Sequence, residues 1–337
     1  MSEITTEESL QVSTSLVTGV SEEQQPSNDN NPWNADTPVS YSEMWLGSEE
    51  CIQYVQNKIA GEPIHWLTYA VKRYMASAVG LTAFTKPPRD YKCLILGANE
   101  GFVERSLRAH GFVGEIVASD IADKALKRAE AASQALGYTD ITYVIADLNT
   151  ATFKDKFDFI IAEGVLHHIE QIERCLEMLN QCLTDDGVMI AVEFVGPVRF
   201  QLPPEQVRWI NAALAVVPKT FRPFPRDEEA YLPATAAENA VVYYVAPSEE
   251  SIINFDPSEA ICGPALKALL PEVFELVEKK GFGGTLLSYM TGHFDFKRSN
   301  HDEVARSWVK VLLQIEETLI QNGILDDEFV FYVLKKK

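Results

Sequence analysis

Two adjacent histidines, His167 and His168, follow an apolar run that reads as a strand, and Glu193 stands near the end of the next such run. A neutral imidazole suits the role of a base toward a poorly acidic hydroxyl. Adjacent helical residues point about 100° apart, so one of the pair faces a pocket, and His168 is favoured. The same Leu166-His167-His168 run can equally cap and orient the next helix. Glu193 is placed to bond an acceptor or pair with a histidine, or equally to bind loop amides. A second constellation is the turn Gly97-Ala98-Asn99-Glu100-Gly101, followed by Asp120 at the end of the next apolar run. Glycine lets the backbone approach a ligand closely, and a carboxylate ending the second strand can accept hydrogen bonds from both hydroxyls of a ribose. The G-x-G-x-x-G spacing that cradles a pyrophosphate is absent. A positively charged sulfonium needs no anion cradle, so the pattern favours a sulfonium nucleoside over a dinucleotide.

Such residues need a scaffold that brings strand ends together. Short apolar runs at 93–96, 116–119, 141–145, 157–162 and 188–195 alternate with helical patterns at 103–110, 123–136 and on through Leu179. That alternation predicts a doubly wound α/β domain with a mostly parallel sheet. Two or three helices are expected over 41–88, before the boundary Lys86-Pro87-Pro88-Arg89. An irregular insertion over 197–270 is expected to hold one helix, at 204–217. A further strand at 274–278, a helix at 303–321 and a last strand at 329–334 complete a Rossmann-like sheet of seven strands within a domain spanning 89–337. Residues 1–40 read as a disordered polar tail.

The chain has 337 residues, with 49 acidic against 29 basic side chains and a formal charge of −20. Such a surface repels a phosphate backbone, which disfavours nucleic acid as a substrate. The five cysteines form no C-x-x-C pair and read as reduced core residues. No apolar run is long enough to cross a bilayer and the acidic N-terminus does not resemble a signal peptide, so a cytoplasmic protein is expected. His65, His110, His293 and His301 lack ligand-like spacing, and no metal site is expected. Arg222-Pro223-Phe224-Pro225-Arg226 reads as a loop turn.

In order and spacing, Gly97 to Gly101, Asp120-Ile121, Ala146-Asp147, Phe157-Asp158, Leu166 to Ile169 and Asp186-Gly187 resemble the motifs of class I S-adenosylmethionine-dependent methyltransferases. The likeness covers residues 92–195. Beyond it, Glu193 to Pro197 with Arg199-Phe200-Gln201, Asp256 to Ala260 and Gly283 to Leu287 look like a bacterial small-molecule or sugar-type subgroup. The resemblance implies that Gly97, Ala98, Asn99 and Gly101 pack against the methionine part of S-adenosylmethionine. It implies that Asp120 with Ile121 holds the ribose, and that Asp147 with Leu148 lies beside the adenine. The acid usual before the glycine turn is replaced by Ile95, leaving Glu100 and Glu163 as candidates to hold the methionine ammonium. Asn99 stands where a middle glycine is usual and tolerates positive φ best among non-glycine residues.

The acceptor is expected to be a small molecule, with oxygen favoured over nitrogen. Trp66, Arg199, Phe200 and Gln201 are candidate substrate residues, although Arg199 reads more readily as an ordinary ion-pair residue. The segments 41–84 and 197–270 are expected to close over the carboxyl edge of the sheet, with packing on its back or a homodimer contact as the alternative. Two other function classes share these features: a non-methyl-transfer enzyme on the same fold, such as a cyclase or aminopropyl transferase, and a non-catalytic cofactor-binding partner protein.

Overall fold

The structure, a computed structural model, describes residues 17, 18, 33, 35, 43–222 and 243–337. Most of the expected tail, and the Arg222 to Arg226 turn beyond Arg222, lie outside the described residues. The strands are β1 (Lys92–Leu96), β2 (Glu115–Asp120), β3 (Ile141–Ile145), β4 (Phe157–Glu163), β5 (Leu183–Phe194), β6 (Glu275–Gly281) and β7 (Phe329–Lys335). They form one seven-stranded sheet in the order β3-β2-β1-β4-β5-β7-β6. The first five are parallel, and β7 runs antiparallel to both neighbours. Strands β1, β2 and β4 are buried along nearly their whole length because helices cover both faces.

The helices are α1 (Glu49–Ala60), α2 (Trp66–Tyr74), α3 (Phe102–Ala109), α4 (Asp123–Ala135), α5 (Ile172–Cys182), α6 (Pro204–Val216), α7 (Glu249–Phe255), α8 (Gly263–Val273) and α9 (Glu303–Gln321). Helix α5 turns Cys175, Leu176, Leu179 and Cys182 inward at helical spacing, and all five cysteines are buried and free. The insertion departs from expectation. It holds α7 and α8 besides α6, because Pro264 occupies the first turn of α8, where a missing N–H costs nothing. The N-terminal region also differs from a wholly detached tail. Val17 and Thr18 pair antiparallel with Phe153 and Thr152, and the Trp33 indole donates to Asp256 at 2.8 Å.

Register sets the functional edge. Leu96 lies opposite Ser119 on one side and Ala162 on the other. Gly97, Asp120 and Glu163 therefore emerge side by side at the carboxyl ends of β1, β2 and β4. Between β1 and β4 the strand order reverses, which is where open α/β sheets bind ligands.

Beneath the glycine turn, Glu104 of α3 is fully buried with neither carboxylate oxygen hydrogen-bonded, while the neighbouring Tyr143 hydroxyl lies 2.7 Å from Ser133. Burial pushes its pKa up to about 7. The folded chain thus holds a proton here that the unfolded chain has released, so this group's contribution to stability falls as pH rises from the unfolded value through about 7. Glu104→Gln should remove on the order of 1–3 kcal/mol of the stability lost between pH 5 and 8, measured by denaturant unfolding at both pH values. An unaltered pH slope in the variant would contradict this reading.

Candidate active site

The turn after β1 is held in left-handed backbone by three residues, Gly97 (φ 65°), Asn99 (φ 46°) and Gly101 (φ 80°). Asn99 takes the conformation that its short polar side chain tolerates. At Gly97 a Cβ would meet Val165 at 2.7 Å, so glycine lets the β1 turn sit against the loop leaving β4. Gly97→Ala should therefore lose about 1–2 kcal/mol from the backbone alone, with more from the Val165 contact, visible as a lowered melting temperature. A melting temperature equal to that of the native chain would contradict the close approach.

Asp120 is the hinge of this region. Its Oδ2 accepts the Asn99 amide and its Oδ1 the Ala122 amide, each at 2.8 Å. Burial raises its pKa, opposed by those amides. The Ile121 amide acts in the same direction, and a carboxylate accepts about four hydrogen bonds, so acceptor capacity remains for a further donor. Asp147 accepts the backbone and side-chain N–H groups of Asn149 at 2.9 Å, closing a tight turn after β3. Ala98, Ile121 and Leu148 flank these groups, with Ala98 and Leu148 buried.

The two candidate acids part company. Glu100 is taken by Arg128, with Oε1 2.6 Å from Nη2. Glu163 ends β4 beside Gly97 and accepts the Trp66 indole N–H at 3.0 Å. Burial pushes Glu163 up to about 7, and the charge of Glu193 adds to the shift. A Cβ on the next residue, Gly164, would meet nothing within 4 Å, so open space lies beside this acid. Gly164 was not singled out from the sequence, where a lone glycine after a strand carries no distinguishing signal.

In the loop that follows Gly164, His167 and His168 occupy a 3-10 turn, Leu166–His168, with ring centroids 4.2 Å apart. Glu193 fulfils two of its expected roles together. One oxygen accepts the Val165 and Leu166 amides at 3.0 and 2.9 Å, and the other lies 2.8 Å from His167 Nδ1. His167 is 7% exposed, bonded through Nδ1 to Glu193, with Glu259 3.6 Å from Nε2. Burial lowers its pKa, but the Glu193 bond and charge outweigh that and raise it overall. His168 differs. Burial and the neighbouring His167 push its pKa down to about 4, leaving the ring neutral. Its Nδ1 lies 3.1 Å from Ser258 Oγ, which donates to Asp256 at 2.6 Å.

The expected substrate residues are largely used inside the protein. Trp66 is 6% exposed and holds Glu163. Gln201 donates its amide to the Arg199 and Pro247 carbonyls, and Arg199 Nη2 donates to the Pro257 carbonyl at 2.9 Å. Phe200 packs on Phe194 and Tyr289. Arg199 and Gln201 thus tie the insertion's loops together through backbone carbonyls, while Arg199 Nη1 stays buried without a hydrogen-bond partner among the described residues. A cavity of about 350 Å³ opens on the same edge, lined in part by Pro197, Pro203, Gln206 and Pro264 of the insertion. Sequence reasoning missed Asp256, Ser258 and Glu259 as partners of the histidines, since a loop some ninety residues downstream carries no local sign of that contact.

Residues 94–191 match the family described as Methyltransferase domain. A stretch of 119 residues is 30% identical to the mitochondrial arginine-hydroxylase NDUFAF5 of Homo sapiens, covering 34% of this chain and 32% of that one. The Mus musculus protein of the same name is 30% identical over 118 residues, covering 34% of this chain and 32% of its own. The match spans about a third of the length of these curated relatives. Among solved structures, the chain is similar to an S-adenosylmethionine-dependent methyltransferase from Mesorhizobium loti, with 18% identity, 74% of this chain and 93% of that chain covered, and a TM-score of 0.41. It is also similar to the [4+2]-cyclase SpnF, with 12% identity, coverage of 85% and 93%, and a TM-score of 0.43. Among the described residues, no helix is long and apolar enough to cross a membrane.

Proposed function

We propose that the chain, whose residues 94–191 match the family described as Methyltransferase domain, transfers a methyl group from S-adenosylmethionine to a small-molecule acceptor, with oxygen favoured over nitrogen. The observation that carries this reading is the sheet edge where the strand order reverses, at which the Gly97 turn, Asp120 and Glu163 emerge side by side, with open space at Gly164 and the histidine pair in the turn that follows. The donor set suits such a ligand. A cationic nucleoside meets carboxylates and glycine backbone here, without a phosphate cradle.

The cofactor supplies an activated methyl carbon, so the protein's task is mainly orientation and exclusion of water. Asp120 would hold the ribose hydroxyls with the acceptor capacity left after its backbone amide bonds. Asp147 and Leu148 border the adenine. Glu163, whose carboxylate the Trp66 indole fixes, would replace the acid missing at Ile95 and hold the methionine ammonium. The His167–His168 pair activates the acceptor, with Glu193 and Glu259 fixing the first ring and leaving the second to act. Five free, buried cysteines suit a reducing compartment, in keeping with a cytoplasmic setting.

The Glu163 assignment has a pH signature. The group is half-protonated near pH 7 in the free chain, and a cation beside it favours the ionised form. Affinity for S-adenosylmethionine should rise as pH increases from about 5.5 to 8, with proton uptake by the buffer seen when calorimetry is repeated in buffers of different ionisation enthalpy. Glu163→Gln should flatten that dependence, and a pH-independent affinity in the native chain would remove Glu163 from the site.

Chromatography for demethylated cofactor and methylated product, on the full chain with panels of small hydroxyl and amine acceptors, tests the transfer itself. A second reading is drawn from the relatives named as arginine-hydroxylases, and is favoured by two imidazoles and a carboxylate converging at the acceptor edge. Hydroxylated product formed from dioxygen and a reductant, with the cofactor left intact, would decide for it.

A further inference from the structure

The histidine pair lies in a richer arrangement than methyl transfer requires. His167 has Nδ1 tied to Glu193, so its only outward nitrogen is Nε2, which lies 3.6 Å from Glu259 Oε1. One ring nitrogen of each histidine and one Glu259 oxygen all lie within 4.8 Å of one another. We propose that His167, His168 and Glu259 form a binding site for a divalent first-row transition-metal cation. Nothing in the methyl-transfer reading demands this site, and it stands independently of that reading.

The chemistry of the donors selects the class of ion. Two imidazole nitrogens and one carboxylate oxygen suit zinc, cobalt or iron(II), whereas calcium and magnesium take oxygen ligands. The surroundings are also those of a ligand set. A ligating histidine ordinarily gives its other ring nitrogen to a carboxylate, which fixes the tautomer and ring orientation. Glu193 does this for His167 from a position 1% exposed, itself anchored by two loop amides. Around His168, Asp256 Oδ2 lies 3.6 Å from Nδ1, and Ser258 bridges the two. The downstream loop is locked against the pair, with the Ile261 amide donating to the His167 carbonyl at 3.0 Å and the Cys262 thiol to the Leu166 carbonyl at 3.2 Å.

Charge points the same way. Glu193, Asp256 and Glu259 gather three carboxylates around two imidazoles, and Arg199 of the adjoining loop turns its Nη2 to the Pro257 carbonyl. A dication would balance that excess where water screens it least. Metal–ligand distances of about 2.0–2.2 Å ask the three groups to close by roughly an ångström, within reach of a glutamate side chain. The ligands remain 10–15% exposed at their side chains, which leaves an entry path. Three protein ligands also leave coordination positions for water or an acceptor oxygen, whose proton such a cation would make easier to lose.

The sequence expectation of no metal site rested on the spacing of the other four histidines. An adjacent pair completed by a carboxylate from a distant loop has no spacing to read.

The test uses the full chain stripped with chelator and titrated with Co²⁺, with Mg²⁺ as the control and no cofactor or acceptor present. Saturable binding of about one Co²⁺ per chain is expected, with visible d–d absorption, paramagnetic shifts on the ring signals of His167 and His168, and no comparable uptake of Mg²⁺. His168→Ala and Glu259→Gln should each weaken Co²⁺ binding by about 10–100-fold or more, while His301→Ala, an exposed histidine elsewhere, leaves it unchanged. Absence of saturable binding, equal affinity in the folded variants, or loss of affinity in His301→Ala would overturn the proposal. Should either variant fail to fold, the native chain decides alone, since paramagnetic shifts confined to other histidines would overturn it equally.

Discussion

His168→Ala lowers turnover by about 10²–10⁴-fold, the range for a group that assists proton removal, while affinity for the demethylated cofactor stays unchanged. The split follows from placement. His168 leaves β4 with His167, and its neighbours are Ser258 and Asp256 of the insertion instead of the glycine turn. His167 makes the weaker candidate because both of its ring nitrogens face carboxylates. The variant must be compared by kcat and by cofactor affinity separately, since a merely structural histidine would disturb both through the loop. A folded variant with full turnover at every pH tested would return the pair to capping the next helix.

The second large effect belongs to Asp120. Asp120→Ala should weaken binding of S-adenosylmethionine and of its demethylated product by about 1.5–3 kcal/mol, the range for charge-assisted hydrogen bonds. Two contributions combine in that figure, the bonds to ribose and the loosening of Asn99 and Ala122, whose amides the carboxylate now holds. Asp120→Asn separates them. The amide keeps one acceptor oxygen, so it retains part of the turn while losing the charge. Unchanged affinity in a folded Asp120→Ala chain would mean that the ribose lies elsewhere.

The glycine turn and the strand-end acid beside it were legible because their determinants are local. A glycine turn, the acid one strand later and the apolar runs between them sit within a few dozen residues, and burial on both sheet faces makes the strands nearly continuous apolar text. Even the departure at Asn99 was readable, since positive φ has few tolerant residues. The acceptor side resisted for the opposite reason. Its partners Asp256, Ser258 and Glu259 reach the histidines from the insertion, whose prolines hid two helices. Trp66, Arg199 and Gln201 have the right chemistry to meet a ligand, yet Trp66 bonds Glu163 and the other two bond loop carbonyls, contacts with distant partners that no local pattern signals. Side-chain type alone does not say whether a donor faces a ligand or the chain's own backbone.

The central claim is that the sheet edge formed by the Gly97 turn, Asp120 and Glu163 takes a sulfonium nucleoside. Isothermal titration of S-adenosylmethionine into the full folded chain, followed by competition with S-adenosylhomocysteine, tests it most directly. The account predicts one saturable site per chain, shared by both ligands and weakened by Asp120→Ala. No saturable heat from either ligand, or binding that one ligand fails to displace from the other, would contradict it.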